Sequence, residues 1–216
     1  MAAAQSLRPP VYTNWGAGYQ AHGRWFRFIS TTLTVAPPKV GDPLHSGNSG
    51  VGISLTGRPG TASISVAPGG GTDSIWWLAS YHNQKPFQLT PRAGDRLVLS
   101  ICYDRHGHDY FTAIDSTQGA TQTVRVTVGD VTYIQASPAA SIDPTVTALP
   151  VTDTRLWNFT GSYLTTYTGV HGTILGPWTS SKMIVTSDGT SSGRVVASPS
   201  GLQNDGQNFG IWLRHQ

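Results

Sequence analysis

Apolar and polar residues alternate along this chain with a period of two, and the alternation restarts after almost every cluster of glycine and proline. In FISTTLTVAPP, Ile29, Thr31, Leu33 and Val35 share one face, and Pro37-Pro38 ends the run. GVGISLTGRPG and TASISVAPGGG read as two strands joined at Gly57–Gly60. DSIWWLASY follows. Neighbouring side chains on a strand point to opposite faces, so Trp76 and Trp77 cannot both be core. Ile75, Trp77 and Ala79 form the more apolar set and are expected inside, which leaves Trp76 on the other face with Ser74, Leu78 and Ser80. DRLVLSICYD and DYFTAID flank an RHGH turn. QTVRVTV places Val124, Val126 and Val128 inward and Thr123, Arg125 and Thr127 outward. Further strands are expected at 131–136, 155–169, 182–186, 193–197 and 207–213. Around a dozen short strands with regular turn signals predict an all-β fold. The expected architecture is a β-sandwich or jelly roll of two bent antiparallel sheets. No repeat or shift of composition divides the chain, so residues 11–216 are expected to form one domain behind a flexible segment at 1–10.

Composition sharpens the picture. Charged residues make up 12% of the chain, about half the usual ~25%. There is no glutamate; all eleven acidic residues are aspartates. Lysine occurs only at Lys39, Lys85 and Lys182. Good helix formers are thus scarce, while 25 Gly and 14 Pro supply turns. The net charge is +3 with the arginines scattered, which argues against a nucleic-acid surface. No run of about 18 apolar residues is present, so no membrane-spanning helix is expected. MAAAQ lacks an apolar signal core and reads as a start placed before a mature N-terminus, which makes a secreted protein the expectation. Cys102 has no partner for an internal disulfide, and its strand context predicts a buried, inert thiol.

Few residues invite chemistry. His106 and His108 flank Gly107 with a spacing seen in metal sites, and Asp104 or Asp109 could add an oxygen ligand. The same residues fall where two strands must reverse, and Gly107 marks a hairpin tip. The aspartates, among them Asp42, Asp73, Asp109 and Asp188, stand beside turn residues, where their carboxylates serve the local backbone. No catalytic residue, metal ligand or cofactor motif is assigned.

Four stretches nevertheless resemble, in order, the glutamic peptidases, or eqolisins. YTNWGAGY with RFISTTLTVAPP resembles their opening S-N-W-A-G motif and following strand. AGDRLVLSICYDRHGHDYFTAIDSTQG is similar to their G-D-x-I strand, hairpin and D-x-T-x-G turn. VTYIQASP resembles A-E-W-I-V-E-x-P, and VVASPSGLQNDGQNFGIWL resembles the closing strand pair. The resemblance implies a β-sandwich with a concave sheet, on which a Glu activates water and a Gln holds the oxyanion. Here Thr132 falls at the Glu position and Ala136 at the motif's second Glu. Ser65 is the match for the Gln. W-V-G-I-D-G aligns with GVGISL, so its Trp becomes Gly50 and its Asp becomes Ser54, and a further family acid becomes Leu78.

With no glutamate to supply the acid, the first expectation is a non-catalytic binding protein. Its concave groove would take a neutral carbohydrate or peptide on Trp76, Ser65, Thr132, Ile134 and Ser54. Two other readings stay open. One is an enzyme of different chemistry, an Asp-based hydrolase or a His/Tyr lyase, which a cluster of His82, Tyr81 and Asp73 would favour. The other is a structural or assembly component.

Overall fold

Strands form here because β-branched and aromatic residues recur at every second position, and each strand ends where glycine, proline or a polar turn interrupts them. A computed structural model of the chain describes residues 7–35, 50–67, 74–79, 84–141 and 157–213. The described residues hold fifteen strands and no helix. β1 (Arg8–Thr13) and the 19-residue β2 (Gly16–Thr34) come first. β3 (Gly50–Arg58), β4 (Thr61–Ala67), β5 (Ser74–Ala79) and the short β6 (Lys85–Pro86) follow. β7 (Arg96–Tyr103), β8 (His108–Asp115) and β9 (Ala120–Thr127) form a meander, and β10 (Thr132–Ser141) returns to the centre. β11 (Trp157–Thr166), β12 (His171–Gly172), β13 (Thr179–Thr186), β14 (Val195–Pro199) and β15 (Phe209–Leu213) complete the order. β1 starts at Arg8 and pairs with β13, so strand structure reaches into the segment expected to be flexible.

β2 organises the sheet. One half pairs with β10 and β13, the other with β7 and β11. A circuit of pairings closes through β2, β13, β14, β15 and β11. From β2 the sheet also runs outward through β10, β3, β4, β5 and β6. The hydrogen bonds link all fifteen strands into one continuous, all-β network.

The inward faces follow the alternation. Val51, Ile53 and Leu55 of β3 are buried, as are Ala62, Ile64 and Val66 of β4 and Ile75, Trp77 and Ala79 of β5. Trp77 stacks on Phe111 with centroids 5.4 Å apart. Phe159 stacks on Phe209 at 4.5 Å, with Tyr19 edge-on to Phe209. Fully burying one such side chain contributes about 1.5–3 kcal/mol, so Phe111→Ala is expected to cost about 3–5 kcal/mol. β9 pairs only with β8, and its valines Val124 and Val126 are half covered.

One acid departs from the sequence expectation. Asp95 and Asp115 serve turns: Asp95 accepts from the Arg92 amide, and Asp115 accepts from the amides of Thr117 and Gln118. Asp109 does not. It lies inside β8, fully buried, because β8 is covered by β7 and β9 on its two edges and by β10 above. The Tyr133 hydroxyl donates to its Oδ2 at 2.6 Å, while Oδ1 has no partner. Burial first, then the nearby Asp104 charge, raises its pKa to about 6 against the opposing Tyr133 bond.

Candidate functional site

The outward faces of β10, β3, β4 and β5 line up in cross-strand rows. Antiparallel register sets Ala139 beside Gly52, Gly52 beside Ser65 and Ser65 beside Trp76. The next row runs Ser137, Ser54, Ser63 and Leu78, and a third runs Gln135, Thr56 and Thr61. Residues paired in register share a face, so three rows give a surface of hydroxyls and amides with one indole. All of these but Leu78 line a cavity of about 860 Å3, within the usual range for small-ligand sites. Gly52 supplies depth as well as backbone: a Cβ there would run into the Ile64 carbonyl. Among the described residues lining this cavity, none is ionisable.

Two tryptophans stand over the surface. Trp76 is half-buried, and its Nε1–H donates to the Ser74 hydroxyl at 2.7 Å, which fixes the ring against the wall. Trp15 reaches in from the turn between β1 and β2. The Thr13 hydroxyl holds that turn, donating to the Gly16 carbonyl at 2.9 Å and accepting from the Gly16 amide at 3.2 Å. Ser137 is the unusual member: 3% exposed, on the cavity wall, with no hydrogen-bond partner for Oγ.

The five residues expected to bind ligand divide. Trp76, Ser65 and Ser54 come together in the cavity. Thr132 and Ile134 do not. A β-bulge between Tyr133 and Gln135 inserts Ile134 as an extra residue, 52% exposed, and shifts the alternation that follows. Gln135 and Ser137 therefore take the cavity face, and Ala136 goes into the core. Thr132 lines a separate, smaller cavity of about 200 Å3 with Trp25, Tyr103, Asp130, Tyr133 and Tyr167. Sequence reasoning also missed Trp15, Gln84 and the hydroxyls of Thr56, Thr61 and Ser63. Counting by twos from Ser54 and Ser65 finds those three hydroxyls.

Other candidate groups lie elsewhere. Asp73, Tyr81 and His82 fall outside the described residues. His22, opposite Gln135 in register, does not line the cavity. Burial, and secondarily the Arg8 charge, lowers its pKa and favours the neutral ring. The His106–His108 segment is a hairpin tip. His108 Nδ1 faces Asp104 Oδ2 at 2.9 Å, and its Nε2 accepts from Arg125 at 2.8 Å, so both ring nitrogens are used. Among the described residues no group of three or more His, Cys, Asp or Glu side chains could hold a metal. Cys102 is half-buried rather than buried, and burial raises its thiol pKa, the direction expected of an unreactive thiol.

No protein-family model and no curated protein matches the chain. Solved structures do. Scytalido-glutamic peptidase with a transition state analog inhibitor aligns with a TM-score of 0.71 at 16% identity, covering 94% of this chain and 100% of that one. The same peptidase with a peptide-based transition state analog gives 0.71 at 15% identity with the same coverage. SCP-B, a member of the eqolisin family of peptidases in a complex with the tripeptide Ala-Ile-His, gives 0.68 at 16%, again covering 94% and 100%. The fold is that of the eqolisin glutamic peptidases. At such identities the likeness is one of architecture, and chemistry must be argued from this chain's own residues.

Proposed function

We propose that this chain is a non-catalytic binding protein on a glutamic-peptidase-like β fold, with the 860 Å3 cavity taking a neutral, polar, extended ligand, a peptide or a carbohydrate. The observation that carries the reading is the lining: hydroxyls, the Gln84 and Gln135 amides, two tryptophans and the aliphatic Ile53, Ile64, Ala67 and Ala139, with no ionisable side chain among its described residues. Water activation for acyl transfer needs a general base within hydrogen-bond reach of the water. The chain contains no glutamate, and of Thr132 and Ser65, which the resemblance assigns to the family's Glu and Gln, only Ser65 lines the cavity. Binding needs none of this. An indole face accepts a sugar ring or an apolar side chain, and surrounding hydroxyls meet ligand amides or hydroxyls without demanding a counter-charge. The unpartnered Ser137 hydroxyl is buried in this wall, and a polar ligand that draws it to the cavity surface gives it the bond it lacks. That SCP-B was solved with a tripeptide favours testing peptides first.

Peptide and glycan arrays probed with wild type and Trp76→Ala test the proposal. A specific wild-type signal that Trp76→Ala removes, with circular dichroism unchanged, supports it; silence on both arrays, or a signal indifferent to Trp76, refutes the site. Casein digestion from pH 2 to 7 tests the non-catalytic half. No turnover is expected, and turnover abolished by Gln135→Ala or Ser137→Ala would make the cavity an active site.

A further inference from the structure

The smaller cavity has a different composition and calls for a different ligand. Tyr103 and Tyr133, both buried, line it together with Tyr167 and with Trp25, which is 58% exposed. Two ring pairs stand nearly perpendicular, Trp25 to Tyr167 at 85° with centroids 6.0 Å apart and Tyr103 to Tyr133 at 89° and 6.1 Å, while Tyr103 and Tyr167 are tilted by 32° at 6.4 Å. Asp130 is exposed on the lining, and it is the one charged residue there. The aromatic walls are held in place. The Tyr103 hydroxyl donates to the Gly129 carbonyl at 3.0 Å, the Tyr133 hydroxyl donates to Asp109, and the Tyr167 amide donates to the Trp25 carbonyl at 2.5 Å.

A flat sugar ring stacks best on one open aromatic face. Rings set at right angles around a small hollow instead enclose a compact, rounded group. Each ring face carries the negative part of its quadrupole, and with Tyr103 and Tyr133 buried as backing it is the exposed Trp25 and the half-buried Tyr167 that offer theirs to a positive charge spread over methyl groups, which is cheap to desolvate. Asp130 adds a full negative charge at the mouth. Tyr167 already engages a cation of the protein itself, the Arg105 guanidinium carbon 4.4 Å from its centroid, which leaves the exposed Trp25 beside Asp130 as the principal contact for a bound one. The Asp130 charge also raises the Tyr103 pKa, after burial and against the Val131 amide bond, so its field reaches the rings.

We propose that the cavity of Trp25, Tyr103, Tyr133, Tyr167 and Asp130 binds a quaternary ammonium group of the trimethylammonium type. This site is separate from the large cavity, and its test does not depend on what the large cavity binds.

The full chain is titrated with tetramethylammonium chloride, with choline chloride and with 3,3-dimethylbutan-1-ol, the neutral carbon counterpart of choline, at constant ionic strength. The readout common to wild type and variants is the heat of binding in titration calorimetry, and in wild type the Trp25 indole N–H resonance, assigned through Trp25→Phe, reports the site. Saturable shifts with both cations are expected, with the neutral alcohol at least about 10-fold weaker, the factor that a cation–π preference near 1.4 kcal/mol gives. Trp25→Ala is expected to abolish saturation. Asp130→Asn, an exposed substitution that leaves the rings in place, is expected to weaken binding by roughly 3-fold. Sedimentation with phosphatidylcholine but not phosphatidylglycerol vesicles would assign the group to a lipid headgroup, and choline binding without sedimentation to a free solute. Equal binding of the neutral alcohol, no saturable shift with either cation, or affinity unchanged in both variants overturns the proposal.

Discussion

On one side of Ile134, β10 lends Thr132 and Tyr133 to a cavity of about 200 Å3 walled by aromatic rings and Asp130. On the other side it lends Gln135, Ser137 and Ala139 to a cavity of about 860 Å3 whose described lining is uncharged. The two differ in what stands behind them. The small cavity backs onto the β7–β8 hairpin, where Tyr133 meets Asp109 and where Asp104 and His108 pair. The large one backs onto the apolar inner faces of β3, β4 and β5. A strand carries its chemistry on alternate residues, so one inserted residue decides which chemistry each region receives. The comparison can be broken by showing that either region behaves like the other.

The widest pH-dependent effect belongs to the charged side. Asp109 has a folded pKa of about 6, above the ordinary carboxylate value of 3.8. Below pH 3.8 both folded and unfolded chains carry the proton and the acid costs nothing. As pH rises from there to about 6, the unfolded chain loses its proton first, and folding stability falls by about 3 kcal/mol in total. Asp95 and Asp104 act in the opposite direction. Burial raises both, but hydrogen bonds outweigh it, from Arg92 and Gln118 in one case and from His106 and His108 in the other, and both settle below the usual value. Their contribution is present above pH 3.8 and is lost as pH falls through their lowered values. His22, whose pKa burial lowers, opposes Asp109 as pH falls below 6.5, since the unfolded chain takes up its proton first. The Asp109 part is therefore read as the difference between wild type and variant, and the far-ultraviolet spectrum at pH 4 should match that at pH 7. Urea titrations between pH 4 and 8 measure the slope. Asp109→Asn should flatten it whatever its baseline stability, and an unchanged slope in that variant would remove the acid from its buried place beneath the aromatic cavity.

The next effect belongs to the uncharged side. Trp76→Ala is expected to weaken whatever ligand the arrays identify by roughly 10- to 30-fold, as loss of a central aromatic anchor does. Trp77→Ala is a sharper contrast on the same strand. It should cost about 3–5 kcal/mol in stability by opening a void against Phe111. Thermal unfolding of the two variants separates wall from core, and equal destabilisation would mean that Trp76 is a second core residue.

That contrast was legible in the sequence because β5 alternates without interruption, so the less polar neighbours of Trp77 decided its direction. On β3 and β4 the resemblance supplied Ser54 and Ser65, and counting by twos from them reaches Ser63 and Thr56. It fails on β10. Counting by twos from Tyr133 sends Gln135 inward and Ala136 outward, and the bulge at Ile134 reverses both. Nothing in TYIQASP announces a bulge; it arises from how β10 must bend between β2 and β3, which is a tertiary demand. Trp15 was hidden for a different reason: a side chain–backbone turn at Thr13 brings it to strands far away in sequence. Asp109 was misread because a carboxylate near a hairpin glycine ordinarily serves the turn, and only the packing of β10 over β8 shows that it does not.

The smallest effect is the most specific. The Ser137 hydroxyl is 3% exposed and has no partner, and an unpaired buried hydroxyl costs about 1–3 kcal/mol. Ser137→Ala removes that cost and leaves a gap of one oxygen atom. The unliganded variant should gain about 0.5–1 kcal/mol, a rise of roughly 1–4 °C in Tm for a chain of this size. A hydroxyl kept in the wall against stability has a use when the cavity fills. The same variant should therefore bind the array ligand about 5- to 10-fold more weakly, the worth of one hydrogen bond in a desolvated site. Thr132→Ala, on the far side of the bulge, should change neither Tm nor this affinity. Scanning calorimetry and titration on the two variants give a plain result. If Ser137→Ala loses stability instead, its hydroxyl holds the strand together, and the large cavity has lost its best evidence of being built for a polar ligand.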